Sequence, residues 1–167
     1  LVTHEHSDHI GGVPAFAGRH AIPVWATFGT LAAVSARFEG WIRSLQVNTS
    51  GQAVQRGEAL MDVYSAELIA AQQEYFVALR GLSRLQDAAP EFRLSMRSLV
   101  EGSLQRLRDW DIAEPELARL RERGQPLNPM TLRSPISGVV IDKPPVQGMR
   151  FMPGDTLYKL ANLSTVW

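Results

Sequence analysis

The sequence predicts a mixed α and β fold: a small β sandwich split in two by an inserted α-helical hairpin and preceded by a short α/β segment. Three observations predict it. Gly51, Val54, Gly57, Leu60 and Val63 tick every three residues, and about a hundred residues later Gly148, Phe151, Gly154, Leu157 and Leu160 do the same. The stretch between the two runs carries apolar side chains at alternating spacings of three and four. The first residues carry a histidine-rich string that nothing downstream resembles.

In chain order, residues 1–36 form the leading segment. It contains H-x-H-x-D-H at His4, His6, Asp8 and His9. Imidazoles and a carboxylate packed on one turn can converge on one or two Zn²⁺ ions, which acidify a bound water. From Ala21 to Ala36 the chain carries no charge, but Pro23 and Gly29 interrupt the run and His4 to His20 make a poor n-region for a secretory signal. Those sixteen residues are also short for a membrane span of about 20. The stretch is therefore expected to be neither an address nor an anchor.

Residues 37–64 and 131–162 are the two β halves. Each opens a strand on glycine, Gly40-Trp41-Ile42 and Gly138-Val139-Val140, and then enters the three-residue tick. The glycines supply positive φ at tight turns, and the apolar positions give each half one sticky face. Neither half is long enough to bury a core alone. Two halves facing each other make one compact sandwich, with Tyr64 ending and Leu132 beginning neighbouring strands.

Residues 65–130 form the insert. Ser65 is a helix N-cap, with Glu67 in the first turn where the dipole favours negative charge. Leu68, Ala71, Tyr75, Ala78, Leu82 and Leu85 make a coiled-coil-like seam, which Asp87-Ala88-Ala89-Pro90 breaks. A second helix sets Phe92, Met96, Leu99, Ser103, Leu107 and Trp110 on one stripe, expected to pack against the first. Pro115 and Gly124 bracket a shorter third helix containing Leu117 and Leu120. Two such helices make a hairpin roughly 30 Å long at about 1.5 Å per residue.

Composition narrows the function. The 167 residues are 45% apolar, as in an ordinary globular protein. Seventeen basic and seventeen acidic residues cancel, which argues against a nucleic-acid partner. The absence of Cys excludes disulfide and thiolate chemistry.

The two halves G-W-I-R-S-L-Q-V-N-T-S-G-Q-A-V-Q-R-G-E-A-L and S-P-I-S-G-V-V-I-D-K-P-P-V-Q-G-M-R-F-M-P-G-D-T-L-Y resemble the split lipoyl-like (biotinyl-like) domain of periplasmic adaptor subunits. They are most similar to CusB-like membrane fusion proteins of heavy-metal RND efflux systems. Residues 163–167 resemble that family's exit into a β-barrel domain. The resemblance implies a non-catalytic adaptor in the periplasm, associated with the inner membrane. Its partners would be an RND inner-membrane pump, an outer-membrane channel protein and other adaptor copies, and no cofactor would be required. Some relatives carry an Arg, Leu and Ser pattern at the hairpin tip; Arg80 and Arg84 lie near this tip, but their spacing to a Leu and a Ser does not match.

The leading string resembles the metal motif of metallo-β-lactamase-fold hydrolases, in which His4 and His6 would serve one metal and Asp8 and His9 the other. The further histidines and bridging aspartate of that family have no counterpart, since His20 alone follows His9. The motif is read as vestigial, its Zn²⁺ as adventitious, and a zinc-dependent hydrolase fragment stands as the alternative function. A third class, the acyl or biotin carrier, needs a modified lysine at the turn between halves. Lys143 instead sits inside the second half, beside Pro144 and Pro145. Met149 and Met152 offer soft Cu(I) or Ag(I) ligands, but on G-M-R-F-M-P-G they are expected to cap a small core.

No hydrolysis of nitrocefin, thioesters or phosphodiesters is expected across added Zn²⁺. Metal-dependent turnover that disappears in His6→Ala would overturn that expectation.

Overall fold

The computed structural model describes residues 31–85, 89–142 and 145–162. The described chain runs β1 (Leu31–Ser35), β2 (Gly40–Leu45), β3 (Ala53–Val54), β4 (Ala59–Tyr64), α1 (Ala66–Arg84), α2 (Pro90–Asp109), α3 (Glu114–Arg123), β5 (Met130–Arg133), β6 (Gly138–Val140), β7 (Arg150–Phe151) and β8 (Thr156–Ala161). The strands form two four-stranded sheets, ordered β1-β8-β6-β3 and β5-β4-β2-β7.

Those two orders are one order written twice. Exchanging β1 with β5, β2 with β6, β3 with β7 and β4 with β8 turns the first sheet into the second. The registers follow the same rule. Ala32, Ala33 and Val34 face Leu160, Lys159 and Tyr158, as Met130, Thr131 and Leu132 face Val63, Asp62 and Met61. Both ladders then slip at the corresponding point, between Val34 and Ser35 and between Ala59 and Met61. Likewise Gly40 faces Phe151 as Gly138 faces Val54.

The turn chemistry repeats too. Gly57 and Gly154 adopt φ of 84° and 95°, in the left-handed region that glycine enters without a Cβ penalty. Each amide donates across to the other half, Gly57 to the Ser134 carbonyl at 2.8 Å and Gly154 to that of Ala36 at 2.8 Å. The acidic residue after each glycine closes its turn: the Gln55 amide donates to Glu58 Oε2 and the Met152 amide to Asp155 Oδ2, both at 2.7 Å. Val54, Leu60 and Val63, with Phe151, Leu157 and Leu160, all point into the core. The three-residue tick is thus a turn glycine alternating with buried side chains.

Two expectations are corrected. The halves do not face each other as separate layers. Each sheet takes two strands from each half, so most ladder hydrogen bonds cross between them. The first half also begins earlier: β1, placed by the sequence reading in the leading segment 1–36, is hydrogen-bonded along β8. An uncharged run such as Leu31-Ala32-Ala33-Val34 carries no turn signal to mark it as strand. Tyr64 does end β4, and Leu132 lies in its neighbour β5, but that strand begins two residues earlier than expected, at Met130.

Inside the core Tyr158 takes the position that Met61 holds in the other half. Its hydroxyl donates to the Val47 carbonyl at 2.7 Å and approaches that of Leu60 at 3.3 Å. Burial pushes its phenol up to about 12, so it stays a neutral donor at physiological pH. On the outer side of the second sheet, burial raises the Asp62 carboxyl, but hydrogen bonds donated by Thr131, Ser44 and Gln46 outweigh it and hold the group below the usual range.

The helices form where expected. The Leu68 amide donates to Ser65 Oγ at 3.1 Å, completing the N-cap of α1. Pro90 opens α2, and Gly124 closes α3 at φ 65°. The break at 87–90 lies partly outside the described residues. α1 and α2 run antiparallel: Arg106 Nη1 bonds Glu74 Oε2 at 2.7 Å near one end, and Gly81 lies against Met96 near the other.

Gly40 and Gly138, equivalent by the two-fold relation, are held by close approach of backbone. A Cβ on Gly40 would lie 2.6 Å from the Tyr64 carbonyl oxygen, and one on Gly138 would run into the Ala161 carbonyl. Gly102, in α2, would meet nothing within 4 Å. Gly138→Ala is therefore expected to destabilise the chain by about 1–3 kcal/mol in urea unfolding, as overpacking does. Gly102→Ala should stabilise it by about 0.5–1 kcal/mol. Equal effects from the two substitutions would refute the close-approach argument.

Candidate docking surface on the helical pair

The helical insert divides into a packed root and an open distal half. At the root Leu68, Ala71 and Tyr75 of α1, Leu107 of α2, and Leu117 and Leu120 of α3 are buried together with Ile112 and Leu127, continuous with the sandwich core. Phe38 joins the two regions, its ring 5.6 Å from that of Trp110 and 5.8 Å from that of Phe151. Two buried polar side chains complete the root. The Gln72 amide is matched to the returning backbone: Leu127 N–H donates to Oε1 at 2.7 Å, and Nε2 donates to the Leu127 carbonyl at 3.3 Å. Arg133 Nη2 and Nε donate to Glu116 Oε1 at 2.6 and 2.9 Å, and Arg119 Nη1 donates to Oε2 at 2.8 Å.

Farther out, two helices alone cannot cover their own apolar residues. Phe92 is 65% exposed, Leu94 60%, Val77 60% and Leu99 54%, with Leu79 also exposed. The stripe expected to pack in α2 is therefore corrected. Phe92 and Leu99 face out, while Val100 and Leu104 pack against the core, with Leu107 buried. α2 carries apolar residues on more than one flank, and α1 can cover only one. The α1 seam holds at Leu68, Ala71, Tyr75 and Ala78 and loosens at Leu82 and Leu85, which are half-buried. Arg80 and Arg84 lie exposed at this end. Clustered apolar side chains exposed on a rod-like element suit association with another surface. They hold no acid–base or nucleophilic constellation.

His4, His6, Asp8 and His9 lie outside the described residues, as does Lys143. Met149 and Met152 flank β7 and are 43% and 46% exposed, so they do not cap the core as expected. Their equivalents in the first half are Gln52 and Gln55, which shows that the turn positions need no apolar residue. Among the described residues no group of three or more His, Cys, Asp or Glu could hold a metal ion. Among the same residues no helix is long and apolar enough to cross a membrane. The sequence reading missed Gln72 and Glu116. A signal existed, since Gln72 follows Leu68 by one helical turn and Glu116 abuts Leu117 on the inward side of a short amphipathic helix.

Comparison with known proteins places this architecture. A family model described as "CusB, barrel-sandwich hybrid domain" matches residues 31–161. The cation efflux system protein CusB of Escherichia coli K12 is 29% identical over 136 residues, 81% of this chain and 30% of that protein. The putative membrane fusion protein SilB of Salmonella typhimurium is 26% identical over 134 residues, 80% of this chain and 28% of that protein. The chain thus spans less than a third of the length of these curated relatives. Among solved structures, ZneB from Cupriavidus metallidurans aligns with a TM-score of 0.48 at 23% identity, covering 83% of this chain and 63% of that one. The match takes in both sandwich halves, the β1 strand and the helices between them, so the chain belongs to the CusB barrel-sandwich hybrid domain family.

Proposed function

We propose that this chain is the sandwich and helical-hairpin section of a non-catalytic periplasmic adaptor in a tripartite RND-type efflux system exporting heavy-metal cations. In this reading the adaptor is associated with the inner membrane and links an inner-membrane pump to an outer-membrane channel, beside other copies of itself. The observation that carries it is the continuous family match over residues 31–161, which takes in the strands and helices alike. The physical division of the molecule supports the same role. A well-buried two-fold sandwich is a rigid base, and the helical pair projects from it with uncovered apolar side chains that suit a protein partner. Zn²⁺ taken up at His4, His6, Asp8 and His9 is adventitious in this reading.

The distal half of the hairpin is where function separates from folding. Replacing residues 79–99 by a short Gly/Ser turn, within a complete adaptor, keeps Gln72, Leu107 and α3 in place. The shortened adaptor should fold and be exported normally, but should no longer assemble with the outer-membrane channel or confer metal resistance. Full resistance from the shortened adaptor would defeat the proposal.

A further inference from the structure

Among the described residues four polar or charged side chains are buried: Ser65, Gln72, Glu116 and Ser134. All four lie at or against the places where the chain passes between sandwich and helices. Ser65 is the residue between β4 and α1 and caps the helix as it leaves. Gln72 holds Leu127, just before β5 begins. Glu116 of α3 holds Arg133, the last residue of β5. Ser134 follows it, its hydroxyl donating to the Ile136 carbonyl at 2.6 Å.

Burying such groups is unfavourable unless every one is bonded. Among the described residues no buried side-chain nitrogen or oxygen lacks a partner. Apolar side chains of similar volume would pack as stably in such places. What directional bonds add is a single geometry. Gln72 pairs with both the N–H and the C=O of one residue, which fixes the distance and the rotation of the returning chain against α1. Glu116 takes donors from a strand residue and from its own helix. Arg133 adds a third tie, donating from Nη1 to the Gly57 carbonyl at 3.0 Å. That carbonyl belongs to the β3–β4 turn, so one guanidinium connects α3, β5 and a turn of the sandwich.

We infer that Gln72 and the Glu116–Arg133 pair are positioning residues that clamp the helical pair at one fixed angle to the sandwich. The helices act as a rigid arm whose direction is set at the root, and the junction is not a hinge. This inference rests on the packing of the junction and stands apart from the adaptor reading.

The chain has no native Cys, so two introduced cysteines take spin labels cleanly. Ser50→Cys, between β2 and β3, and Ser98→Cys, on α2, are both exposed. Pulsed EPR on the full chain should give one narrow distance peak. Adding Gln72→Leu, or separately Glu116→Gln, should broaden that peak about twofold or split it while thermal unfolding stays cooperative, because a junction without its directional bonds admits several packings. Unchanged peak widths in the folded variants would overturn the inference. Should Gln72→Leu fail to fold, Glu116→Gln decides, since it keeps the side chain's size and one acceptor oxygen. The doubly labelled parent also decides by itself: a broad distribution there would mean a hinge.

Discussion

Backbone pairing between two sequence halves is the constraint on which the rest depends. Each half supplies four short strands, one of them only two residues long. No such unit satisfies its own edges. Interleaving solves this, because strands of one half lie beside strands of the other in both sheets. Equivalent positions then carry equivalent duties. Gly57 and Gly154 make the same turn, Gly40 and Gly138 admit the same crossing of backbone, and Leu60 and Leu157 fill the same core. The helical insert can be as long as it is because β4 and β5 are neighbours, which places its two ends side by side.

From that base outward the character of the packing changes in steps. The sandwich is closed by apolar side chains and by the buried hydroxyl of Tyr158, which bonds backbone carbonyls. The root is closed by three helices and by directional bonds at Gln72 and Glu116. The distal pair is left open, with Phe92 and Leu94 in solvent. Such a gradient from closed to open along one element fits the docking role proposed for it, since a partner can supply cover only where the protein has not supplied it itself.

Much of this was legible in the sequence, and the misses have physical causes. The tick of Gly51 to Val63 and of Gly148 to Leu160 was readable because turn glycines and core positions alternate at fixed intervals. Ser65, Pro90 and Gly124 marked helix ends because capping is local chemistry. β1 was missed because Leu31-Ala32-Ala33-Val34 becomes a strand only by pairing with β8, a partner about 125 residues away in sequence. The interleaving was missed for the same reason, since periodicity fixes which side chains face in but not which strands are neighbours. Phe92 and Leu99 were misassigned because a stripe on one helix does not reveal which flank its partner covers. Gln72 and Glu116 were missed as well: a polar residue on an apolar face is a weak signal by itself, and their partners at Leu127 and Arg133 follow only from the fold.

The central claim is that neither half folds without the other. Cutting the chain after Leu127 removes β5 to β8, two strands from each sheet, and leaves β2 and β4 with only each other. Hydrogen exchange on the truncated chain measures this directly. The interleaved account predicts that amides from Ile42 to Val63, protected in the full chain, exchange at rates near those of an unfolded peptide. Strong protection of the same amides after the cut would contradict it.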